Sequence, residues 1–228
     1  MHPPFSFKAF SVVVAFSCMS FGSVAGTNGW TNVSPPGGIV RSIIFDSKDP
    51  NLVFADGPGV IYRSTDAGRS WEELSSPTTP RSQWRLVVSP TQSGVVYSVN
   101  GKRGISVSTD RGDCWSFFAF PDEEVSSLTM DPTNGSHLYA IAGFPPVLHK
   151  STDGGVSWVH RGRETGYAHS VAVSPFDGSI FLSTSNGIHR SLTGGTSWIK
   201  TSDLPLLSGF IFHPKKPEVV FGFRGNAV

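Results

Sequence analysis

The residues best suited to chemistry in this sequence fall in a few short polar segments. Arg81, Trp84 and Arg85 share one, Lys102 and Arg103 the next, Asp122, Glu123 and Glu124 a third, and Arg163, Glu164, Tyr167 and His169 a fourth. Two carboxylates flanking a glycosidic bond hydrolyse it, one as acid and the other as base or nucleophile, and a tyrosine can replace the nucleophile. Here the three acids of 122–124 stand side by side, whereas a hydrolytic pair is expected to face across a cleft. Tyr62, Tyr97, Tyr139 and Tyr167 have no evident glutamate partner. Trp84, Phe144 and Tyr167 offer flat rings that could stack on a sugar or a peptide side chain. No catalytic residue is assigned on this basis. The segments read as a mixed rim, with Arg81, Trp84, Arg85, Arg103, Glu123, Glu124, Arg163, Glu164, Tyr167 and His169 as its candidate ligand contacts. Six histidines beyond the leader are scattered one per segment, which gives no metal-ligand spacing. No phosphate-binding loop, calcium loop or serine elbow is present, so neither a metal nor a cofactor is expected.

These segments are spaced by a repeat. "STDAGRSW" (64–71), "STDRGDCW" (108–115), "STDGGVSW" (151–158) and "SLTGGTSW" (191–198) are copies of one turn, with Trp71, Trp115, Trp158 and Trp198 spaced 44, 43 and 40 apart. Upstream of each stands an apolar run, a turn and a second apolar run, as in "IIFDSKDPNLVFA", and a fifth copy, "FIFHPKKPEVVFG", follows the last turn. Each unit reads as strands A and B joined by a turn, a strand C ("IYRS", "ISVS", "LHKS", "IHRS"), the eight-residue turn, and a strand D beginning at the Trp. Units of 40–50 residues with four antiparallel strands predict propeller blades. The expected fold is therefore all-β: four complete blades and a partial fifth. Within the turn, Asp66, Asp110 and Asp153 are expected to accept backbone N–H bonds, with Thr193 in that place in the fourth copy. Gly68, Gly112, Gly155 and Gly195 occupy the position that needs a positive φ, and Cys114 stands where the other copies have Ser.

Charged residues make up 15% of the chain against about 25% in average domains, and the net charge is +1. That argues against a nucleic-acid partner held by its phosphates. Residues 1–25 have the layout of a secretory signal peptide, with Lys8, an apolar run over 9–21 and small residues up to Ala25. The apolar run is shorter than the ~20 residues of a membrane span. Residues 26–228 are then a secreted or periplasmic propeller, in which Cys114 is the one cysteine and no internal disulfide forms.

The repeated turn resembles the Asp-box, or BNR, repeat, S-x-D-x-G-x-x-W, over residues 38 to about 224. The residues that match are Ser64, Asp66, Gly68 and Trp71; Ser108, Asp110, Gly112 and Trp115; Ser151, Asp153, Gly155 and Trp158; and Ser191, Thr193, Gly195 and Trp198, which departs at Thr193. The group includes sialidases, xyloglucan-degrading endoglucanases, sortilin-type receptors and photosystem II assembly factors. The resemblance implies that the boxes are structural, between strands C and D, and that ligands bind at the opposite end, on the D–A and B–C loops. The sialidase pattern of an early Arg-Ile-Pro segment is absent around Arg41. The expected function is a non-catalytic binding or assembly scaffold for a protein or carbohydrate, with a glycoside hydrolase, or a fragment of one, as the alternative. "GWTNVSPP" from Gly29 resembles a strand D, and the chain stops where the fifth strand C should run. A chain cut from a larger propeller is expected in preference to a five-bladed ring.

Overall fold

The computed structural model describes residues 34–36, 40–57, 59–74, 86–99, 104–118, 120, 124–161 and 165–224. The leader of 1–25 and the early strand D expected at 30–33 lie outside them. Among the described residues all eighteen regular elements are strands, in four four-stranded antiparallel sheets and one two-stranded sheet. The first sheet holds β1 (Ser42–Phe45), β2 (Val53–Gly57), β3 (Val60–Ser64) and β4 (Glu72–Leu74). The second holds β5 (Leu86–Val88), β6 (Val96–Val99), β7 (Ile105–Ser108) and β8 (Ser116–Phe118). The third is β9 (Val125–Asp131), β10 (Asn134–Ala142), β11 (Val147–Ser151) and β12 (Val159–Arg161). The fourth is β13 (Ala168–Val173), β14 (Ile180–Thr184), β15 (Gly187–Ser191) and β16 (Ile199–Ser202), and β17 (Gly209–Phe212) pairs with β18 (Val220–Phe223). Within each sheet, sequence order is spatial order, as blades require. Strand D starts one residue after the Trp expected to open it.

Local chemistry fixes the A–B turns. Asp46 Oδ1 accepts the N–H groups of Lys48 and Asp49 at 2.8 and 2.9 Å, and Asp131 Oδ1 accepts Thr133 N–H at 2.8 Å. Ser89 and Ser174 do the same through their hydroxyls, and His213 Nδ1 accepts from Lys215 and Lys216. One short polar acceptor after each strand A thus satisfies amides that the sheet cannot.

Sheets pack face to face in chain order. Phe54, Ile61 and Leu74 of the first blade share a core with Leu86, Val96 and Trp115 of the second. Tyr97, Val99 and Val107 of the second share one with Leu128, Met130, Leu138 and Trp158 of the third. Tyr139, Ile141 and Leu148 meet Val171, Val173, Leu182 and Trp198. Trp115, Trp158 and Trp198 therefore each serve the interface with the blade before their own. Polar links cross as well. Arg63, largely buried, donates from Nη1 to the Arg111 carbonyl at 2.8 Å and pairs with Asp113, while its Nε bonds Glu72 at 2.6 Å. Gly94 N–H donates across the same interface to Asp46 Oδ2 at 2.8 Å.

Gly112 has φ +95, and a Cβ there would run into the Leu74 side chain of the preceding blade. Gly178 has φ +68 with nothing within 4 Å. Gly112→Ala is expected to cost about 2–4 kcal/mol, left-handed strain plus overpacking, against about 1–2 kcal/mol of strain alone for Gly178→Ala. Urea unfolding of the two variants measures the difference.

Candidate functional site

Two ends of the blades can be told apart by their hydrogen bonds. At one end the boxes lie beside the A–B turns of their own blades: Ala67 N–H donates to the Asn51 carbonyl at 2.9 Å, Arg111 to Gly94 at 2.9 Å, and Gly154 to Ser136 at 3.0 Å. At the other end described parts of the D–A and B–C loops meet, as where Leu206 N–H donates to the Thr184 carbonyl at 3.2 Å.

The box is a closed hydrogen-bond unit. Ser64 Oγ donates to Asp66 Oδ1 at 2.7 Å and accepts the Gly68 N–H at 2.8 Å. Asp66 Oδ1 accepts Ser70 N–H at 2.8 Å and Oδ2 accepts the Ser70 hydroxyl at 2.6 Å. Ser108 and Asp110, and Ser151 and Asp153, repeat the first set. In the fourth box Thr193 Oγ1 accepts Ser197 N–H at 2.8 Å and meets the Ser197 hydroxyl at 2.8 Å, so the turn keeps its shape without a charge. Trp115, Trp158 and Trp198 each donate Nε1–H to the carbonyl of their own box glycine, at 2.9–3.1 Å. The sequence reading anticipated the acceptor role of the Asp. It missed the seventh position, where Ser70 and Ser157 donate hydroxyls to the carboxylate; their recurrence in the copies was the available signal. These hydroxyls, then the amides behind them, hold Asp66 and Asp153 down at about 2. Cys114 interrupts the pattern: its amide still bonds Asp110 at 2.9 Å, and Asp110 pushes the exposed thiol up through their contact.

At the opposite end, the candidate contacts Arg81, Trp84, Arg85, Arg103, Glu123, Arg163 and Glu164 lie outside the described residues. Glu124, Tyr167 and His169 are described, and all three are exposed. Glu124 offers its carbonyl to Gly143 N–H at 3.3 Å, and His169 Nδ1 bonds the Leu207 carbonyl at 2.9 Å. The Leu207 carbonyl also takes the Ser170 hydroxyl at 2.7 Å, and Leu207 N–H donates to Ser183 Oγ at 2.7 Å, so the loop of 203–208 is held on the fourth blade.

The loop bearing Phe144 and that bearing Tyr167 are joined where Ala168 N–H donates to the Pro146 carbonyl at 2.9 Å. Tyr167 is held on its other side by Ser185, whose N–H reaches the Tyr167 carbonyl at 2.9 Å and whose Oγ accepts the Tyr167 N–H at 3.2 Å. Gly166, at φ +93, fits there because a Cβ would press on Ser185 and Asn186. Both rings stand in solvent.

Asp56 was not among the sequence candidates. It is the next-to-last residue of β2 in the first blade, is almost fully buried, and accepts a hydrogen bond from Ser42 Oγ. Burial pushes its carboxyl up, against the lowering effect of Ser42, whereas the box aspartates are shifted down. Nothing in the sequence around "FADGPG" distinguished it from a turn aspartate. His149 and His160, read as scattered, are cross-strand partners with ring centroids 4.2 Å apart. Among the described residues no group of three His, Cys, Asp or Glu is placed to hold a metal. No helix of the described residues is long and apolar enough to cross a membrane.

Asp66 and Asp153, with folded values near 2 against 3.8 when free, stabilise the fold above about pH 4 and lose that contribution as pH falls from about 4 towards 2. Amide exchange should show the Ser70 and Ser157 N–H groups opening in that window while Ser197, bonded to Thr193, stays protected. Cys114→Ser is expected to lower Asp110 further, by supplying the missing hydroxyl, and to raise the urea midpoint; carboxyl-carbon NMR titration reads the first effect.

Residues 59–159 match the family model described as Sortilin-Vps10 (Sortilin, neurotensin receptor 3). A Paenibacillus xyloglucanase is 28% identical over 88% of this chain, and a vacuolar protein sorting/targeting protein 10 of Schizosaccharomyces japonicus is 30% identical over 37% of it. The chain spans only 24% and 6% of those proteins. Among solved structures, an ancestral GH74 enzyme superposes with a TM-score of 0.60 at 21% identity, covering 77% of this chain and 26% of that one. YCF48 bound to a D1 peptide gives 0.56 at 18% identity, covering 77% of this chain and 57% of that one. With four-stranded blades and a box between each strand C and strand D, the chain has a β-propeller fold whose repeated turn resembles the Asp-box (BNR) repeat, and it is similar to the xyloglucanase, sortilin and YCF48 proteins.

Proposed function

We propose that this chain is an exported, non-catalytic binding scaffold, with its ligand face on the D–A and B–C loops and its boxes as structural clips at the other end. The observation that carries this reading is the pair of exposed rings, Phe144 and Tyr167, on loops tied by the Ala168–Pro146 bond and fixed by Ser185. Exposed aromatic rings on fixed backbone are binding features, because they bury much apolar area with little loss of freedom. The Asp-box carboxylates, by contrast, already bond their own turns, which suits a structural part. The ligand is a carbohydrate or an extended peptide, classes named for the xyloglucanase and YCF48 relatives. Export rests on the signal-peptide layout of 1–25, with cleavage near Ala25.

A second reading, a glycoside hydrolase or a segment of one, is favoured by one observation: Asp56 is a buried carboxyl shifted towards its protonated form at the ligand end, as a general acid requires. Asp122, Glu123, Glu124 or Glu164 would then supply the partner carboxylate.

Titration calorimetry with soluble xyloglucan and, separately, with a library of extended peptides tests the first reading. Saturable binding to one of them is expected, weakened about tenfold, or ~1.4 kcal/mol, by Phe144→Ala or Tyr167→Ala. Binding to neither, or binding indifferent to both substitutions, would sink it. Release of reducing ends that Asp56→Asn abolishes would move the assignment to the hydrolase.

A further inference from the structure

The strand B aromatics form a series: Phe54, Tyr97, Tyr139, Phe181 and Phe221 hold the same register position, each paired opposite the central part of its strand A. The first three lie on the face turned to the following blade and are 0%, 5% and 2% exposed there. Phe181 is met by Phe210 and Phe212 of the next sheet at centroid distances of 6.0 and 5.6 Å. Phe221 is 54% exposed, and Ile211 and Phe223, which share its face by strand alternation, are 58% and 48% exposed. This trailing face has the chemistry of a blade interface and no blade on it among the described residues.

The first blade presents the counterpart. In the second, third and fourth blades, the leading face carries the strand A residue just before the A–B turn acceptor and the box Trp, here Val88 and Trp115, Met130 and Trp158, Val173 and Trp198, and these share a core with the aromatic of the blade before. The corresponding residues of the first blade are Phe45, 59% exposed, and the half-buried Trp71. Among the described residues a Cβ on Gly68 would touch only Trp71, whereas one on Gly112, Gly155 or Gly195 would meet a side chain of the preceding blade. So the leading face of blade one has the residues that cover such an aromatic, and the trailing face of β17–β18 has the aromatic to be covered.

We propose that these two faces bind each other between copies of the chain, head to tail, Phe221 of one copy packing against Phe45 and Trp71 of the next. The occupant is a second copy because the three interfaces inside the chain supply the template for both halves of this contact. The contact is heterologous: the two patches differ, so blocking one patch on a copy leaves the other available.

Light-scattering mass of the full chain across a dilution series, with Phe45→Asp and Phe221→Asp variants, tests the proposal. The unblocked chain is expected to rise above single-chain mass with concentration. Each variant alone should stay at single-chain mass, and an equimolar mixture should form a one-to-one pair through its remaining intact faces. Circular dichroism and urea unfolding check that both variants fold; Phe45→Ser and Phe221→Ser replace either one that does not. A chain that remains single at every concentration, which is what closure of the faces within one copy gives, overturns the proposal. So does a variant that associates like the parent, or a mixture that fails to pair.

Discussion

A four-stranded sheet with apolar side chains on both faces cannot stand in water alone, and every other feature of this protein follows from how its sheets cover one another. The strand B aromatics Phe54, Tyr97 and Tyr139 each point into the next sheet and vanish from solvent there. Burying such a side chain is worth about 1.5–3 kcal/mol, more than a surface ion pair supplies. With a chain this poor in charge and Cys114 free, stacking is the principal source of stability.

The boxes make that stacking specific. A hairpin between strands C and D could swing freely, but the Ser–Asp–Ser bonds close it into one shape, and the Trp indole is tied back to its own glycine carbonyl. A box so fixed presents its glycine edge and its indole together to the preceding blade. The Arg63 guanidinium then reads the correct neighbour by bonding a box carbonyl, Arg111, and Asp113 at once. The result is a rigid frame at one end, leaving the D–A and B–C loops at the other free to vary.

Much of this was legible in the residues. Repeated turns with Asp, Gly and Trp at fixed offsets pointed to four-stranded blades and their strand order, because each of those types has a specific local job. The Phe54 to Phe221 series was also visible as an aromatic recurring in each strand B. The end bearing the D–A and B–C loops was harder to read. Asp56 lies in a turn-like sequence, and only the fold shows that it is buried against Ser42. The pairing of His149 with His160 depends on the β11–β12 register, which hairpin length sets and composition does not. Likewise, the joining of the Phe144 and Tyr167 loops is a long-range contact between blades, which no local pattern encodes.

Because the described sheets share their cores with the sheet before and the sheet after, the blade is also a unit of inheritance. Duplicating or deleting one stretch of 40–44 residues, in frame, leaves every remaining junction of the same kind as those already present. Such a lineage can lengthen or shorten its array by whole modules without redesigning a core. The D–A and B–C loops belong neither to the boxes nor to the A–B turns, so their sequences can diverge module by module while the frame is kept.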